Sequence, residues 1–262
     1  MTKTPCPEVE WRKLRADQLR ERARQNAIVI VPVGSLEQHG PHLPVEVDSM
    51  LGEAVALRAA RLVAAREPVV VLPMLWTGLS EHHMSFGGTV TLDLAAFCAV
   101  IEGICRSLVR HGFRRIVLLN GHGGNDNALR NCTDELSVKL DAPIVQFTYW
   151  YAAAEPIGAI LETQKGLSHA CEAETSMMMA LRPDLVAHDR IPLAKVNRAP
   201  DVSDVVGPGV YRWRSIVSRS ASGVLGNPEA ATPEKGNRLL DAVTRALADK
   251  LTNAELWKLD WR

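Results

Sequence analysis

AIVIVPVGSLEQHGPHLPVEVD, residues 27–48, opens as an unbroken apolar run and turns polar at Ser35. A short valine- and isoleucine-rich run that does not alternate, closed by Gly34, is the pattern of a strand covered on both faces. Three further runs repeat it: PVVVLPML (68–75), RRIVLLN (114–120) and PIVQFTY (143–149). Between them, 47–66, 92–112 and 125–140 carry helical periodicity, the second placing Leu94, Phe97, Val100, Ile101, Ile104 and Leu108 at threes and fours. Strand alternating with helix predicts an α/β fold with a mostly parallel sheet and helices on both faces.

Outward from that frame, 262 residues fit one large domain spanning 1–262. Thirty basic and thirty acidic residues cancel, so no global field favours nucleic acid or an anionic membrane as partner. The 47% hydrophobic and 23% charged composition is that of a soluble globular chain and excludes disorder as the main state. MTKTPCPEVEWRKLRADQLRERARQ has no apolar core before a cleavage site, and no run is long enough to span a bilayer, so a cytoplasmic protein is expected. Five cysteines (Cys6, Cys98, Cys105, Cys132, Cys171) without a CxxC imply no disulfide framework. A basic helix at 11–24 reads as a solvated face. Residues 189–232, rich in proline, glycine and serine and carrying Tyr211 and Trp213, read as a long irregular excursion serving function or an interface. A last helix is expected over 233–252, with Thr232 as N-cap and Pro233 in its first position.

The chemistry-bearing residues follow the strands. Beyond the first, at the end where open α/β sheets bind ligands, Glu37 and His39 stand two apart in an extended segment and project to the same side. With His42 and Asp48 they offer donors suited to Zn²⁺, Mn²⁺ or Fe²⁺, and one carboxylate such as Asp48 can bridge two ions. The segment also reads as a polar turn with Asp48 at a helix N-terminus. After the third strand, LLNGHGGNDNALR sets His122 in a glycine turn braced by Asn120 and Asn125. It lacks the lysine of GxxxxGK[ST] and the spacing of GxGxxG, which disfavours a phosphate cradle. In SHACEAETSMMMAL, a helix starting near Ser168 puts His169 and Glu172 on one face and turns Glu174 away. Glu172 is then the first candidate to join a site and Glu174 the second, with a structural hydrogen bond as the other reading of Glu174. GLSEHHMSFGGTVTL holds Ser80, Glu81, His82 and His83, and adjacent histidines point apart, so one of them faces a common site. Trp150 and Tyr151, ending the fourth strand, read as an apolar wall for a flat substrate ring or as strand-end packing.

In this order the segments resemble the creatininase (creatinine amidohydrolase) family: GSLEQHGPHLP with Asp48, GLSEHHMSFGGT, NGHGGN, HACEAETS and GVLGNPEAATPEKG, over residues 26–250. The resemblance implies a three-layer α/β/α sandwich in one domain, a two-metal site, a homohexamer and hydrolysis of an amide bond. It implies Glu37, His39, Asp48 and His122 as metal ligands with Asp48 as the bridge. It also implies His83 as the family histidine of the second motif, with Ser80 beside it at the substrate, and His169 as proton donor to the leaving nitrogen. Two departures bear on this. Gly124 stands where creatininases carry a glutamate ligand, so Glu172, or else Glu174, is expected to supply the missing carboxylate and join the catalytic groups. QKGLS (164–168) replaces a tryptophan, aspartate and glutamate that hold creatinine.

The expected function is therefore metal-dependent hydrolysis of a small, cyclic amide other than creatinine, by water activated on two divalent ions, zinc or manganese with iron also fitting. Within the family outline, deformylation of a formamide, peptide trimming and opening of a keto-sugar ring are the alternatives. From another class, the alternative is a non-catalytic binding or scaffold protein whose metal site has decayed at Gly124.

Overall fold

The computed structural model describes residues 7–195 and 199–258. Its strands are β1 (Ile28–Val33), β2 (Val69–Val71), β3 (Arg115–Asn120) and β4 (Ile144–Thr148), all parallel in the order β2-β1-β3-β4. The helices are α1 (Ala16–Arg24), α2 (Val47–Val63), α3 (Leu94–Arg110), α4 (Asp126–Leu140), α5 (Tyr149–Ala152), α6 (Ala154–Ile160), α7 (Glu172–Leu181), α8 (Val202–Val206), α9 (Pro233–Leu251) and α10 (Ala254–Lys258).

Both faces of the sheet are covered, and the side-chain alternation divides the core in two. Ile28, Ile30, Val69, Val71, Val117 and Leu119 join one cluster with Leu51, Val55, Met177, Leu239 and Val243 of α2, α7 and α9. Val29, Val31, Val33, Val70, Ile116, Leu118 and Ile144 join the other with Phe97, Ile101, Leu129 and Leu136 of α3 and α4. This is the α/β/α sandwich that the sequence predicts.

The strand expected over 68–75 is continuous only over Val69–Val71 and meets β1 again in a single parallel bridge at Leu75. Pro32 explains the stop. Its carbonyl faces the β2 side, where it accepts from the Leu75 N–H at 2.9 Å, so its missing N–H falls on that side as well. The ladder therefore breaks after Val71, with Pro73 in the break, and resumes at Leu75. The four long helices α2, α3, α4 and α9 begin and end close to their predicted limits. Asp93 caps α3 by accepting from the Ala96 N–H at 2.7 Å, and Thr232 caps α9 by accepting from the Lys235 N–H at 3.2 Å. The described residues 189–195 and 199–232 form a run of short turns, with α8 and the 3₁₀ segments His188–Leu193, Ile216–Ser218 and Pro228–Ala230 as regular pieces. Cys6 lies outside the described residues.

Strand order reverses between β1 and β3, so their carboxyl ends open a crevice at the position where such sheets bind ligands.

Candidate metal centre

Four segments converge on this crevice. Ser35, Glu37, Gln38 and His39 leave β1, Asp48 sits in the first turn of α2, Ser80 and His83 come from the loop after β2, and His122 leaves β3. The approach to α7 adds His169, and the first turn of α7 adds Glu174. Glu37, His39, Asp48, His83, His122 and Glu174 are all buried. Asn120 accepts from the His122 N–H at 3.0 Å, and Asn125 bridges the Leu79 N–H and the Gly34 carbonyl at 2.9 Å each, so both asparagines brace the glycine turn as expected.

The hydrogen bonds behind the rings decide what His39 and His122 present in front. His39 Nδ1 lies 3.1 Å from the Glu37 carbonyl, and His122 Nε2 lies 3.1 Å from the Leu79 carbonyl and 3.1 Å from Ser80 Oγ. A carbonyl oxygen only accepts, and the Ser80 hydroxyl proton goes to Glu37 Oε2 at 2.7 Å, so each ring carries its proton on that rear nitrogen. The front nitrogen of a neutral ring is then a lone pair. His122 Nδ1 faces Glu37 Oε2 at 3.1 Å and Asp48 Oδ2 at 2.9 Å; His39 Nε2 faces Asp48 Oδ1 at 3.2 Å and Glu174 Oε2 at 3.9 Å. His39 Nε2 and Asp48 Oδ2 have no hydrogen-bond partner. Lone pairs converge on lone pairs at two points, with Asp48 offering one oxygen to each. Such an arrangement asks for cations between the donors, and imidazole with carboxylate is the donor set of Zn²⁺ or Mn²⁺.

Without metal, protons take up part of that charge. Burial opposes ionisation of Asp48, yet His39 and His122 hold its carboxyl far below the usual range. Burial disfavours a charged His39, and Asp48 more than reverses this, raising it to about 9. Burial pushes Glu174 up to about 8, which His39 opposes and Asp48 reinforces. Burial, followed by the charges of His39 and His83, holds His169 well below its ordinary value.

Residues 12–251 match the family model Creatininase, described as creatinine amidohydrolase. The chain belongs to the creatininase family. It is 31% identical over 261 residues to the creatinine amidohydrolase of Pseudomonas putida, covering 93% of this chain and 94% of that one. It is 33% identical over 222 residues to the mycofactocin precursor peptide peptidase of Mycobacterium tuberculosis (strain CDC 1551 / Oshkosh), covering 82% of this chain and 80% of that one. Among solved structures, a manganese creatininase superposes with a TM-score of 0.78 at 29% identity, covering 93% of this chain and 97% of its own. A mutant creatininase of Zn-Zn type gives 0.77 at 30%, with the same coverage. The chain is thus a creatininase-family hydrolase, and its buried donor set is one for divalent metal.

Several expected site residues are placed elsewhere by the fold. Glu172 does not face the cluster. It accepts from Lys235 Nζ at 2.7 Å, from Thr163 Oγ1 at 2.7 Å and from the Thr163 N–H at 3.0 Å, a buried clamp between α7, α9 and the preceding loop. The expectation assumed a helix beginning near Ser168. α7 begins at Glu172, because Ala170 adopts a left-handed φ of 52° and Cys171, the N-cap, is extended. His169 therefore lies off the helix, and Glu174, two residues into α7, reaches back to the Ala170 N–H at 2.6 Å and presents to His39. Ser80 is wholly buried behind Glu37 and does not line the cavity, so its expected contact with substrate gives way to a hydrogen bond that holds Glu37.

His83 and His169 do line the cavity, which measures about 890 Å³, and so do Trp150, Tyr151 and His82. Trp150 is buried and also packs in the core, whereas Tyr151 is exposed. Tyr211, Arg212, Trp213, Arg214 and Arg219 of the excursion form the outer wall. Gln38 is the residue that sequence reasoning passed over, although it stands between Glu37 and His39 in the decisive motif.

Gly124 has a steric reason. A Cβ there would overlap the Leu79 carbonyl and His122 Nε2 and would lie 2.9 Å from His82 Cε1. The backbone leaves no room for the glutamate that creatininases carry. Gly124→Glu is therefore expected to lower both metal content and Tm by displacing His122, as elemental analysis and thermal unfolding will show; a gain in bound metal would contradict the overlap.

Proposed function

We propose that this chain hydrolyses a carbon–nitrogen amide bond with two divalent ions, zinc or manganese, held by Glu37, Asp48 and His122 on one side and His39, Asp48 and Glu174 on the other. The observation that carries this reading is the pair of opposed lone-pair nests sharing Asp48. Divalent ions supply a water nucleophile at neutral pH and polarise a carbonyl. The residues do the rest. Ser35 and Ser80 hold Glu37 through its Oε2 at 3.2 and 2.7 Å, so that the carboxylate cannot swing away. His169 lines the cavity beside the cluster, its Nδ1 3.4 Å from Glu37 Oε1; neutral at rest, it serves as proton donor to the leaving nitrogen after taking up the proton that the attacking water loses. Trp150 and Tyr151 wall the cavity against the part of the substrate that does not react. Further parts of the proposal are a cytoplasmic location and a homohexamer with one such site per chain.

The size and lining of the cavity support a substrate larger than a single small ring. QKGLS offers Leu167 and Ser168 to the cavity, while Gln164 is turned to the Gly166 carbonyl at 2.6 Å. Neither an acidic nor an aromatic group from this segment meets the substrate, and a site without matched hydrogen-bond partners gives a small guanidine-like ring no preference. A formamide or a terminal peptide amide uses the outer wall and is the favoured class. The test is metal analysis joined to a substrate panel. About two ions per chain are expected, with creatinine giving a lower kcat/KM than formamides and short peptide amides. Creatinine at the top of the panel contradicts the substrate reading, and a metal-free chain after zinc or manganese loading contradicts the enzyme reading in favour of a scaffold.

A further inference from the structure

The buried amide of Gln38 sits behind the two histidines that face Glu37. Its Oε1 accepts from the Gly40 N–H at 2.9 Å, which settles which end is the NH₂ group. Its Nε2 lies 2.8 Å from His83 Nδ1, 3.0 Å from His169 Nε2 and 3.1 Å from the Gly223 carbonyl. An amide nitrogen donates and cannot accept, so a ring nitrogen at this distance must be unprotonated, or hydrogen would meet hydrogen. This holds for both rings, whichever of the three acceptors takes the two N–H groups at a given moment. Each neutral ring then carries its proton on the other nitrogen, and these, His83 Nε2 and His169 Nδ1, face Glu37 Oε1 at 3.3 and 3.4 Å.

The four rings are thus sorted by what stands behind them. Acceptors behind His39 and His122 leave lone pairs toward the cluster, and a donor behind His83 and His169 leaves protons toward it. The geometry assigns Gln38 the role of a positioning residue that fixes the tautomers of His83 and His169, keeping both rings proton-bearing and out of the metal coordination.

The consequence is sharpest at His169. Donor atoms of Glu37, His39 and His169 lie within 4.8 Å of one another, close enough to hold an ion among them. The proton that Gln38 forces onto His169 Nδ1 closes that third position to a cation and leaves an N–H there to hydrogen-bond the leaving nitrogen; the ring, neutral in this state, gives a proton up only after a second one has reached it. Gly223 makes the close approach possible: with φ at 79°, it stands where a Cβ would overlap Gln38 Oε1. The excursion backbone therefore locks the amide in place. The catalytic part of this inference rests on the proposed metal hydrolysis, whereas the tautomer assignment does not.

The experiment is ¹⁵N NMR of histidine-labelled protein, zinc-loaded and metal-free, in the wild type and in Gln38→Glu, Gln38→Met and Gly223→Ala. In the wild type, His169 should favour Nδ1–H over Nε2–H by about tenfold, the scale of one net hydrogen bond. Gln38→Glu puts an acceptor behind the rings and should invert that ratio, with kcat on the best amide of the panel falling about 10 to 100-fold. Gln38→Met, of similar length but without donors, should leave the two tautomers mixed, and Gly223→Ala should do so by shifting the amide, which keeps the test available should the carboxylate variant fail to fold. Wild-type His169 protonated on Nε2, or variants that keep the wild-type tautomers, would overturn the assignment. If the wild type takes up no zinc, the hydrolase reading fails, and the tautomers of the metal-free protein still decide the role of Gln38.

Discussion

Asp48→Asn is expected to leave the fold in place, to abolish hydrolysis and to strip the protein of its bound metal. Asp48 is the residue whose two oxygens serve both lone-pair nests, Oδ2 at 2.9 Å from His122 Nδ1 and Oδ1 at 3.2 Å from His39 Nε2. Asparagine keeps the shape but offers one oxygen and one NH₂ group, and the NH₂ donates. Either rotamer therefore places an N–H against one of the two imidazole lone pairs and satisfies it with a proton, closing that nest to a cation. Loss of an outer hydrogen bond to a ligand costs roughly 10 to 100-fold, and loss of a shared ligand should exceed that, at about 10³-fold or more in kcat. A second readout is independent of substrate. Zinc or manganese at 1,000 times its Kd should stabilise the wild type by about 4 kcal/mol per site, and this metal-dependent rise in Tm should disappear in the variant. Two ions per chain and normal turnover in Asp48→Asn would overturn the bridging role.

What was legible in the sequence is what local pattern controls. β1 and β2 are recognisable because each is buried on both faces and carries no polar residue within it, and β3 and β4 because their valine, isoleucine, leucine and phenylalanine outweigh Arg115 at the start of one and Gln146 within the other. The ends of two of these runs mark the site: the chain turns polar at Ser35 and again at Asn120, where β1 and β3 run out. The errors lie where a distant partner or an atypical backbone angle intervenes. Nothing in an alanine announces the left-handed φ of Ala170, so the helical spacing of SHACEAETS points to a helix that begins too early and exchanges the faces of Glu172 and Glu174. Lys235, 63 positions away, claims Glu172, and Ser80 spends its proton on Glu37 across 43 positions. The pairing of Gln38 with His169 spans 131 positions. The signal for Gln38 was its place between two ligand-type residues, which by itself does not say whether an amide points at substrate or behind a ring.

Glu174→Gln and Glu172→Gln, two residues apart on one helix, are expected to fail in opposite ways. Glu174 is the third carboxylate of the cluster, buried with His39 and Asp48, and their donor atoms lie within 4.8 Å of one another. Its Oε2 also accepts from the Ala170 N–H. A glutamine can keep that backbone bond through its carbonyl oxygen, so the entry to α7 should survive. What it cannot keep is the charge: the nest around His39 loses an anionic ligand, one ion per chain should be lost, and kcat should fall by about 10²-fold or more, since the two ions act as a unit. Glu172→Gln leaves the cluster untouched and damages the scaffold. Its partner Lys235 is buried, and its ammonium would then face a neutral amide, with the exposed Glu162 carboxylate at 3.1 Å as its remaining ion-pair partner. Breaking a buried ion pair from one side costs about 3 kcal/mol or more, a fall in Tm of roughly 6 to 12 °C for a chain of this size. Metal content per folded chain should stay at the wild-type value. Elemental analysis and thermal unfolding on the two variants separate the roles. Loss of metal in Glu172→Gln with full retention in Glu174→Gln would return the missing ligand to the position that helical spacing first favoured, and would require the chain between Ser168 and Cys171 to be helical rather than broken at Ala170.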